Sequence, residues 1–208
     1  MVAGVLVCGG GSTRFGEDDK VCANLGGRPL VRHVADRIEP VVDELVINCR
    51  ESQRECIEGA MAGYDPPVTF SFDEREDAGP LHGIGRGLEA TDAEYAVVVA
   101  CDMPFVDPDF VAELFDRARG HDVAIPRHGE GNWYQPLQAV YRVGAMVAAV
   151  EEALESGVER PIEPALSLDA VTIAGEELWA SADEHTFFNV NTRADLERAK
   201  RLLREWST

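Results

Sequence analysis

Val2-Ala3-Gly4-Val5-Leu6-Val7-Cys8 runs directly into Gly9-Gly10-Gly11-Ser12-Thr13-Arg14-Phe15-Gly16-Glu17-Asp18-Asp19-Lys20. The first half is a short apolar run of the kind that forms a strand buried on both faces. The second half is a glycine-rich loop. Successive glycines let the backbone approach a ligand closely and aim its N–H groups at phosphate oxygens. Arg14 and Lys20 bring positive charge to the same loop, and lysine meets phosphate as a compact cation. Lys20 and Lys200 are the only lysines in the chain, so the placement of Lys20 carries weight. Arg14 and Lys20 are therefore candidate catalytic residues.

Two common phosphate-binding patterns fail here. A dinucleotide-binding G-x-G-x-x-G starting at Gly9 requires glycine where Arg14 stands. A P-loop requires lysine and then Ser or Thr after its last glycine; Gly11 and Gly16 have the spacing, but Glu17 and Asp18 follow. A dehydrogenase and a P-loop NTPase are both disfavoured.

Outward from the loop, apolar runs alternate with helical patterns. Strands are expected at Val2–Cys8, Glu44–Asn48, Val68–Phe72 and Tyr95–Ala100, the last being the most apolar run. Helices are expected at Leu30–Ile38, between Pro29 and Pro40, near Gln53–Met61, from Pro80 to about Ala90, and at Pro108–Ala118 capped by Asp107. Further on, Val123–Pro126 and Leu137–Tyr141 read as strands separated by the polar stretch His128–Asn132. Gly144–Leu154 reads as a helix, Val171–Ile173 as a short strand, and Thr192 caps a helix to about Leu203. Helices between strands imply right-handed crossovers and a mainly parallel sheet. The expected fold class is α/β, a single three-layer Rossmann-like domain over residues 1–208.

Composition narrows the partners. The 208 residues carry 19 basic and 38 acidic side chains, a formal net charge of −19. Such a surface repels nucleic acid and anionic lipid, which bind through counterion release to a basic face. It suits a salty cytoplasm, where ions screen the repulsion between carboxylates. No apolar stretch approaches the roughly 18 residues of a membrane span. Met1 to Cys8 lacks a basic leader and runs into glycines rather than a cleavage site, which favours a buried first strand over an export signal. The five cysteines, Cys8, Cys22, Cys49, Cys56 and Cys101, are scattered and include no C-x-x-C pair. They are expected to be reduced, in a cytoplasmic protein, with neither a disulfide framework nor a zinc site. A monomer is the default.

Asp102 follows the most apolar strand and precedes Met103-Pro104. Open α/β sheets bind ligands at the carboxyl ends of their strands. A carboxylate there can hold Mg²⁺, or it can cap the turn before Pro104. Asn189 and Asn191 alternate along an extended segment, so both amides can face one ligand; turn and capping hydrogen bonds are the alternative. Arg127, His128 and Arg142 are available to a phosphate group, though nothing in their spacing demands it.

The loop pattern Gly-Gly-x-Ser-x-Arg-x-Gly followed by Lys20, together with Gly27-Arg28-Pro29-Leu30, resembles the signature of the molybdenum cofactor guanylyltransferase family. The likeness extends over nearly the whole chain through Gly79-Pro80-Leu81-His82-Gly83, Cys101-Asp102-Met103-Pro104, Pro136-Leu137-Gln138-Ala139-Val140-Tyr141 and Asn189-Val190-Asn191-Thr192. Each piece is short, but their order and spacing are specific. Cys8 stands where the family usually has alanine, and Thr13 at a frequently basic position. The resemblance implies an NTP-transferase fold that joins GMP from GTP to the terminal phosphate of molybdopterin, releasing pyrophosphate. It implies Mg²⁺ on Asp102, and nucleotide contacts from Val7, Cys8, Gly9, Gly10, Lys20, Asn48, Asp73, Gly83 and Asp102. Asn189 and Asn191 would face the acceptor, with Asn189 towards the metal, and His82 is read as a bystander. Other molybdenum cofactor biosynthesis proteins would be its partners. Enzymes of the same fold that use CTP or a sugar phosphate, and a nucleotide-binding adaptor without catalysis, are the alternatives.

Overall fold

The computed structural model describes residues 1–9, 19–73, 79–131 and 133–206. Its strands are β1 Val2–Val7, β2 Asn24–Leu25, β3 Arg28–Pro29, β4 Glu44–Cys49, β5 Val68–Phe72, β6 Tyr95–Ala100, β7 Val123–His128, β8 Trp133–Tyr134, β9 Gln138–Arg142 and β10 Ala170–Ala174. Its helices are α1 Leu30–Ile38, α2 Arg54–Ala60, α3 Gly79–Glu89, α4 Pro108–Ala118, α5 Val143–Glu155, α6 Ile162–Ser167, α7 Gly175–Ser181 and α8 Arg193–Trp206. Strands β2 and β3 form a small separate antiparallel pair.

The main sheet runs β10-β7-β9-β6-β1-β4-β5, with β8 paired to β7. The pairs β1–β4, β1–β6, β4–β5 and β7–β10 are parallel. β9 is antiparallel to both β6 and β7, so the sheet is mainly, not wholly, parallel. In β1 and β6 only the first residue is partly exposed, because helices cover both faces. Successive residues of a strand point to opposite faces. Leu6, Ile47 and Val99 accordingly pack with Val34 of α1 and Phe110 of α4, while Val5, Val46 and Val98 pack with Ile84 of α3 and Met146 of α5. Burying each such side chain stabilises the fold by about 1.5–3 kcal/mol, so both layers contribute to holding the sheet between them.

Most long elements match the expectation. Asp107 caps α4 by accepting hydrogen bonds from the backbone N–H groups of Asp109 and Phe110. Thr192 and Asp195 close the start of α8, each side chain accepting from the other's backbone N–H. The polar stretch after Pro126 departs from the reading: β7 continues to His128 and folds back as β8, pairing Arg127 with Tyr134 and His128 with Trp133. A two-residue strand is too short to show alternation. The short helices α6 and α7 escape sequence reading for a similar reason, since a turn or two of helix depends on its packing.

One expectation is overturned. Cys22, in the 3-10 turn Lys20–Cys22, is joined to Cys56 of α2 by a disulfide, with Cα atoms 6.4 Å apart. The pairing is invisible in the sequence because it depends on the turn after the glycine loop packing against α2. Cys8, Cys49 and Cys101 remain free and buried. Alkylation of the unfolded protein without reductant should label three thiols, rising to five after reduction. Five labels before reduction would remove the bond from the account.

Candidate active site

Register places the site. Val7 of β1 lies level with Asn48 of β4 and Ala100 of β6, and Asn48 lies level with Ser71 of β5. The chain leaves β1 towards β4 and β5, then returns to β6 on the other side of β1. The carboxyl ends of β1 and β6 thus flank the switch point at which open α/β sheets bind ligands. A cavity of about 160 Å³ lies there, lined by Val7, Cys8, Gly9, Lys20, Asp102 and Leu137 among others.

The polar chemistry converges on the same edge. Among the described residues, buried side-chain atoms without a hydrogen-bond partner occur in Asn48, Arg50, Ser71, Asp73, Asp102, Arg127 and Gln138. All seven stand at the carboxyl edge of the sheet or just beyond it. β9 runs the other way, and its first residue, Gln138, is opposite Val99 at that same edge. A buried polar group left unpaired costs about 1–3 kcal/mol, and natural cores seldom tolerate several together. Asn48 is the extreme case, fully buried with neither amide atom engaged. A larger hollow of about 490 Å³ lies between Ala23 and α8, but none of these unpaired atoms line it.

Lys20 and Asp102, 82 residues apart, meet here. Lys20 Nζ donates to Asp102 Oδ2 at 2.7 Å and to Asn191 Oδ1 at 3.3 Å. Both partners of the ion pair are largely buried, with side chains 17% and 14% exposed. Asp102 Oδ1 has no partner, and no described backbone N–H donates to this carboxylate, so Asp102 does not act as a turn cap. One free carboxylate oxygen in a polar cleft suits Mg²⁺, which binds through one or two carboxylates plus phosphate and water. The described residues hold no cluster of three or more His, Cys, Asp or Glu able to cage a metal.

Asp19 fixes the approach of Lys20, a role that reading the sequence missed. Its Oδ2 accepts hydrogen bonds from Arg50 and Gln53, both at 2.8 Å, and its Oδ1 accepts from the backbone of Val21. Gln53 also donates to the Cys8 carbonyl at 3.3 Å. Asp19 thus ties the returning end of the loop to β4's exit, so Lys20 starts from a fixed anchor. Gln53 lay within the region read as helix, but nothing in that pattern pointed to a contact with Asp19.

The remaining candidates divide by position. Val7, Cys8 and Gly9 line the cavity, and Asn48, Asp73 and Gly83 lie beside them, Asp73 and Asn48 next to Gly9 and Gly83 next to Asn48 and Val7. A Cβ on Gly83 would fall 2.7 Å from Asn48 Oδ1, and one on Gly87 would fall 2.4 Å from Val5 Cγ1. These glycines let α3 lie close against the sheet. Asn191 reaches Lys20, whereas the amide nitrogen of Asn189 turns to the Phe187 carbonyl at 2.9 Å; Asn191, not Asn189, touches the charged centre. Arg142 is corrected outright. It stands opposite Tyr95 at the amino end of β6 and faces Asp122, away from the cleft. Arg14 and Gly10 lie outside the described residues, as do Glu74, Glu76 and Asp77.

Burial also sets the ionisation of the cleft. Desolvation raises the pKa of Asp73, partly offset by the Asn48 amide, which lies nearby without hydrogen-bond geometry, and by His82, Arg50 and Arg86. Burial pushes the Cys49 thiol up to about 12 and raises Cys8 as well, so neither is a thiolate at neutral pH. For Asp73 a raised value means the folded protein favours the neutral form. That stabilisation is complete at low pH and lost as pH rises through the raised value. At pH 7 the charged carboxylate therefore weighs against the fold. Asp73→Asn should raise the thermal midpoint at pH 7, and the gain should shrink towards zero below about pH 4, the ordinary carboxylate range. A variant no more stable than wild type at pH 7 would contradict this.

Comparison with known proteins agrees with this geometry. Residues 4–170 match the family model described as the MobA-like NTP transferase domain. A probable molybdenum cofactor guanylyltransferase of Natronomonas pharaonis is 46% identical over 200 residues, covering 96% of this chain and 97% of that one. Its counterpart in Haloferax mediterranei is 39% identical, covering 93% and 90%. Among solved structures, molybdopterin-guanine dinucleotide biosynthesis protein A of Archaeoglobus fulgidus superposes with a TM-score of 0.77 at 29% identity, covering 99% of this chain and 100% of that one. A 4-diphosphocytidyl-2C-methyl-D-erythritol synthase of Anaerococcus prevotii gives the same TM-score at 14% identity, covering 98% of each chain; at that identity the likeness speaks for the fold alone. The switch-point cleft, the Lys20–Asp102 pair and the near full-length matches lead to one conclusion: the chain belongs to the MobA-like NTP transferase family.

Proposed function

We propose that this chain transfers GMP from GTP to the terminal phosphate of molybdopterin or its molybdenum-bearing form, releasing pyrophosphate. The observation that carries the reading is Lys20 Nζ at 2.7 Å from Asp102 Oδ2 in the switch-point cleft. A cation and an incompletely used carboxylate beside a glycine-rich turn are what a metal-bound triphosphate needs. The relatives named as molybdenum cofactor guanylyltransferases support the choice of GTP and acceptor.

In this reading, an acceptor phosphate oxygen attacks the α-phosphorus in line, forming a new P–O bond as the bond to the β-phosphate oxygen breaks. A phosphate monoester is largely ionised at neutral pH, with a second pKa near 6, so no strong general base is required. The protein's work is positioning and charge neutralisation. Lys20 and Arg14 hold the departing pyrophosphate, and Asn191 keeps the Lys20 ammonium in place. Asn48 and Asp73 supply hydrogen-bonding atoms for the guanosine, whose arrival would satisfy groups otherwise buried unpaired. Mg²⁺ on Asp102 Oδ1 would neutralise charge on the α-phosphate when bound. A GTP substrate would support a cytoplasmic location, and the acidic composition fits high salt there.

Pyrophosphate release should be measured with GTP, CTP, ATP and UTP in turn, with Mg²⁺ at high salt, with and without molybdopterin. Release should require GTP, the acceptor and Mg²⁺ together. Lys20→Ala and Asp102→Ala should each cost on the order of 10²–10³ in rate, as for other preorganised charge sites. Turnover with CTP in preference to GTP would overturn the substrate assignment, and tight GTP binding without turnover would favour the adaptor. Full activity in either variant would overturn the roles given to these side chains.

A further inference from the structure

Arg127 lacks the carboxylate partner that several other arginines of this acidic chain have. Arg28, Arg50, Arg54, Arg117 and Arg142, for example, all face carboxylates. Arg127 is half-buried, has no ion-pair partner among the described residues, and its Nε is buried without a hydrogen bond. Its guanidinium lies over the Tyr134 ring, 5.4 Å from the centroid. Among the described residues of a chain with 38 carboxylates, this cation at the carboxyl edge of the sheet has no carboxylate partner.

The hairpin directs that cation. Strands β8 and β9 both run antiparallel to β7, joined by Gln135–Leu137. Gln135 N–H donates to the Pro126 carbonyl at 3.0 Å, and Ala100 N–H donates to the Leu137 carbonyl at 3.0 Å. Tyr134, which carries the Arg127 guanidinium, is therefore linked through three residues to the exit of β6, two residues before Asp102. Leu137 itself lines the cavity that holds Lys20 and Asp102. Nucleotide-side groups Asn48, Ser71 and Asp73 occupy the opposite half of the sheet, beyond β1. The other two side chains noted with it in the sequence are engaged elsewhere: the His128 ring stacks on Phe187 at 4.0 Å, and Arg142 lies at the far end of the sheet.

We propose that Arg127, its guanidinium over the Tyr134 ring, binds the phosphate of the acceptor on the β7 side of the cleft. The proposal rests on the guanylyltransferase reading and adds a specificity residue to it. A planar guanidinium presents two parallel N–H donors that match a phosphate, a geometry lysine cannot reproduce. A cation on this side would draw the doubly charged acceptor phosphate towards the α-phosphorus, and would prefer it over an acceptor lacking phosphate.

Kinetics with molybdopterin and Mg–GTP should separate the effects. Arg127→Ala should raise the KM for molybdopterin at least tenfold while the Kd for Mg–GTP, measured by titration without acceptor, stays within twofold of wild type. Arg127→Lys should recover only part of the loss. An unchanged molybdopterin KM in Arg127→Ala would overturn the proposal, as would an equal rise in the Kd for Mg–GTP, which marks a structural role. If wild type transfers nothing to molybdopterin, the guanylyltransferase reading fails instead. Direct binding of inorganic phosphate then decides Arg127, which predicts at least tenfold weaker binding in Arg127→Ala and is overturned by equal binding.

Discussion

A buried polar group must find a partner or cost the fold about 1–3 kcal/mol, and this protein concentrates that cost along one edge of its sheet. Asn48, Ser71, Asp73, Asp102, Arg127 and Gln138 stand there with atoms that the described protein leaves unpaired. The two helical layers press the strands into a register that brings these residues level. The hydrophobic core offsets the cost of the polar edge, and the edge awaits a ligand rich in both donors and acceptors. A nucleotide answers that description, with a polar base at one end and anionic phosphates at the other. Trading stability for preorganisation in this way is a recurrent feature of functional sites.

Electrostatics makes the arrangement sharper. A chain with a net charge of −19 repels a triphosphate at long range, so affinity must come from local groups and from screening by salt, whose reach falls to roughly 8–10 Å at physiological strength. Lys20 is anchored for this through Asp19, which Arg50 and Gln53 hold in turn. The Lys20–Asp102 pair keeps both charges compensated before a ligand arrives. In the proposed reaction the same pair would be divided between a phosphate and a cation.

Much of this was legible in the sequence because the central elements have unmistakable patterns. Tyr95–Ala100 and Leu30–Ile38 emerge at the expected bounds, the first as an apolar run and the second between two prolines. Lys20 and Asp102 could be named from the glycine loop and from the exit of the most apolar strand. Their contact could not, since it depends on the crossover that returns the chain to the far side of β1. Asp19, Gln53 and the hairpin under Arg127 were illegible for the same physical reason: their roles come from neighbours distant in sequence. Cys22 and Cys56, separated by 34 residues, show that spacing alone does not exclude a pairing set by tertiary packing. Strand alternation let Asn189 and Asn191 face one ligand, and local hydrogen bonds distinguish them.

The most direct test of the central claim is a crystal structure of the protein with Mg²⁺ and a non-hydrolysable GTP analogue. The account predicts guanosine against Asn48 and Asp73, phosphates on the Lys20 side of the cleft, and the metal on Asp102. A nucleotide bound instead in the hollow beside α8, with Asn48 and Asp102 untouched, would contradict it.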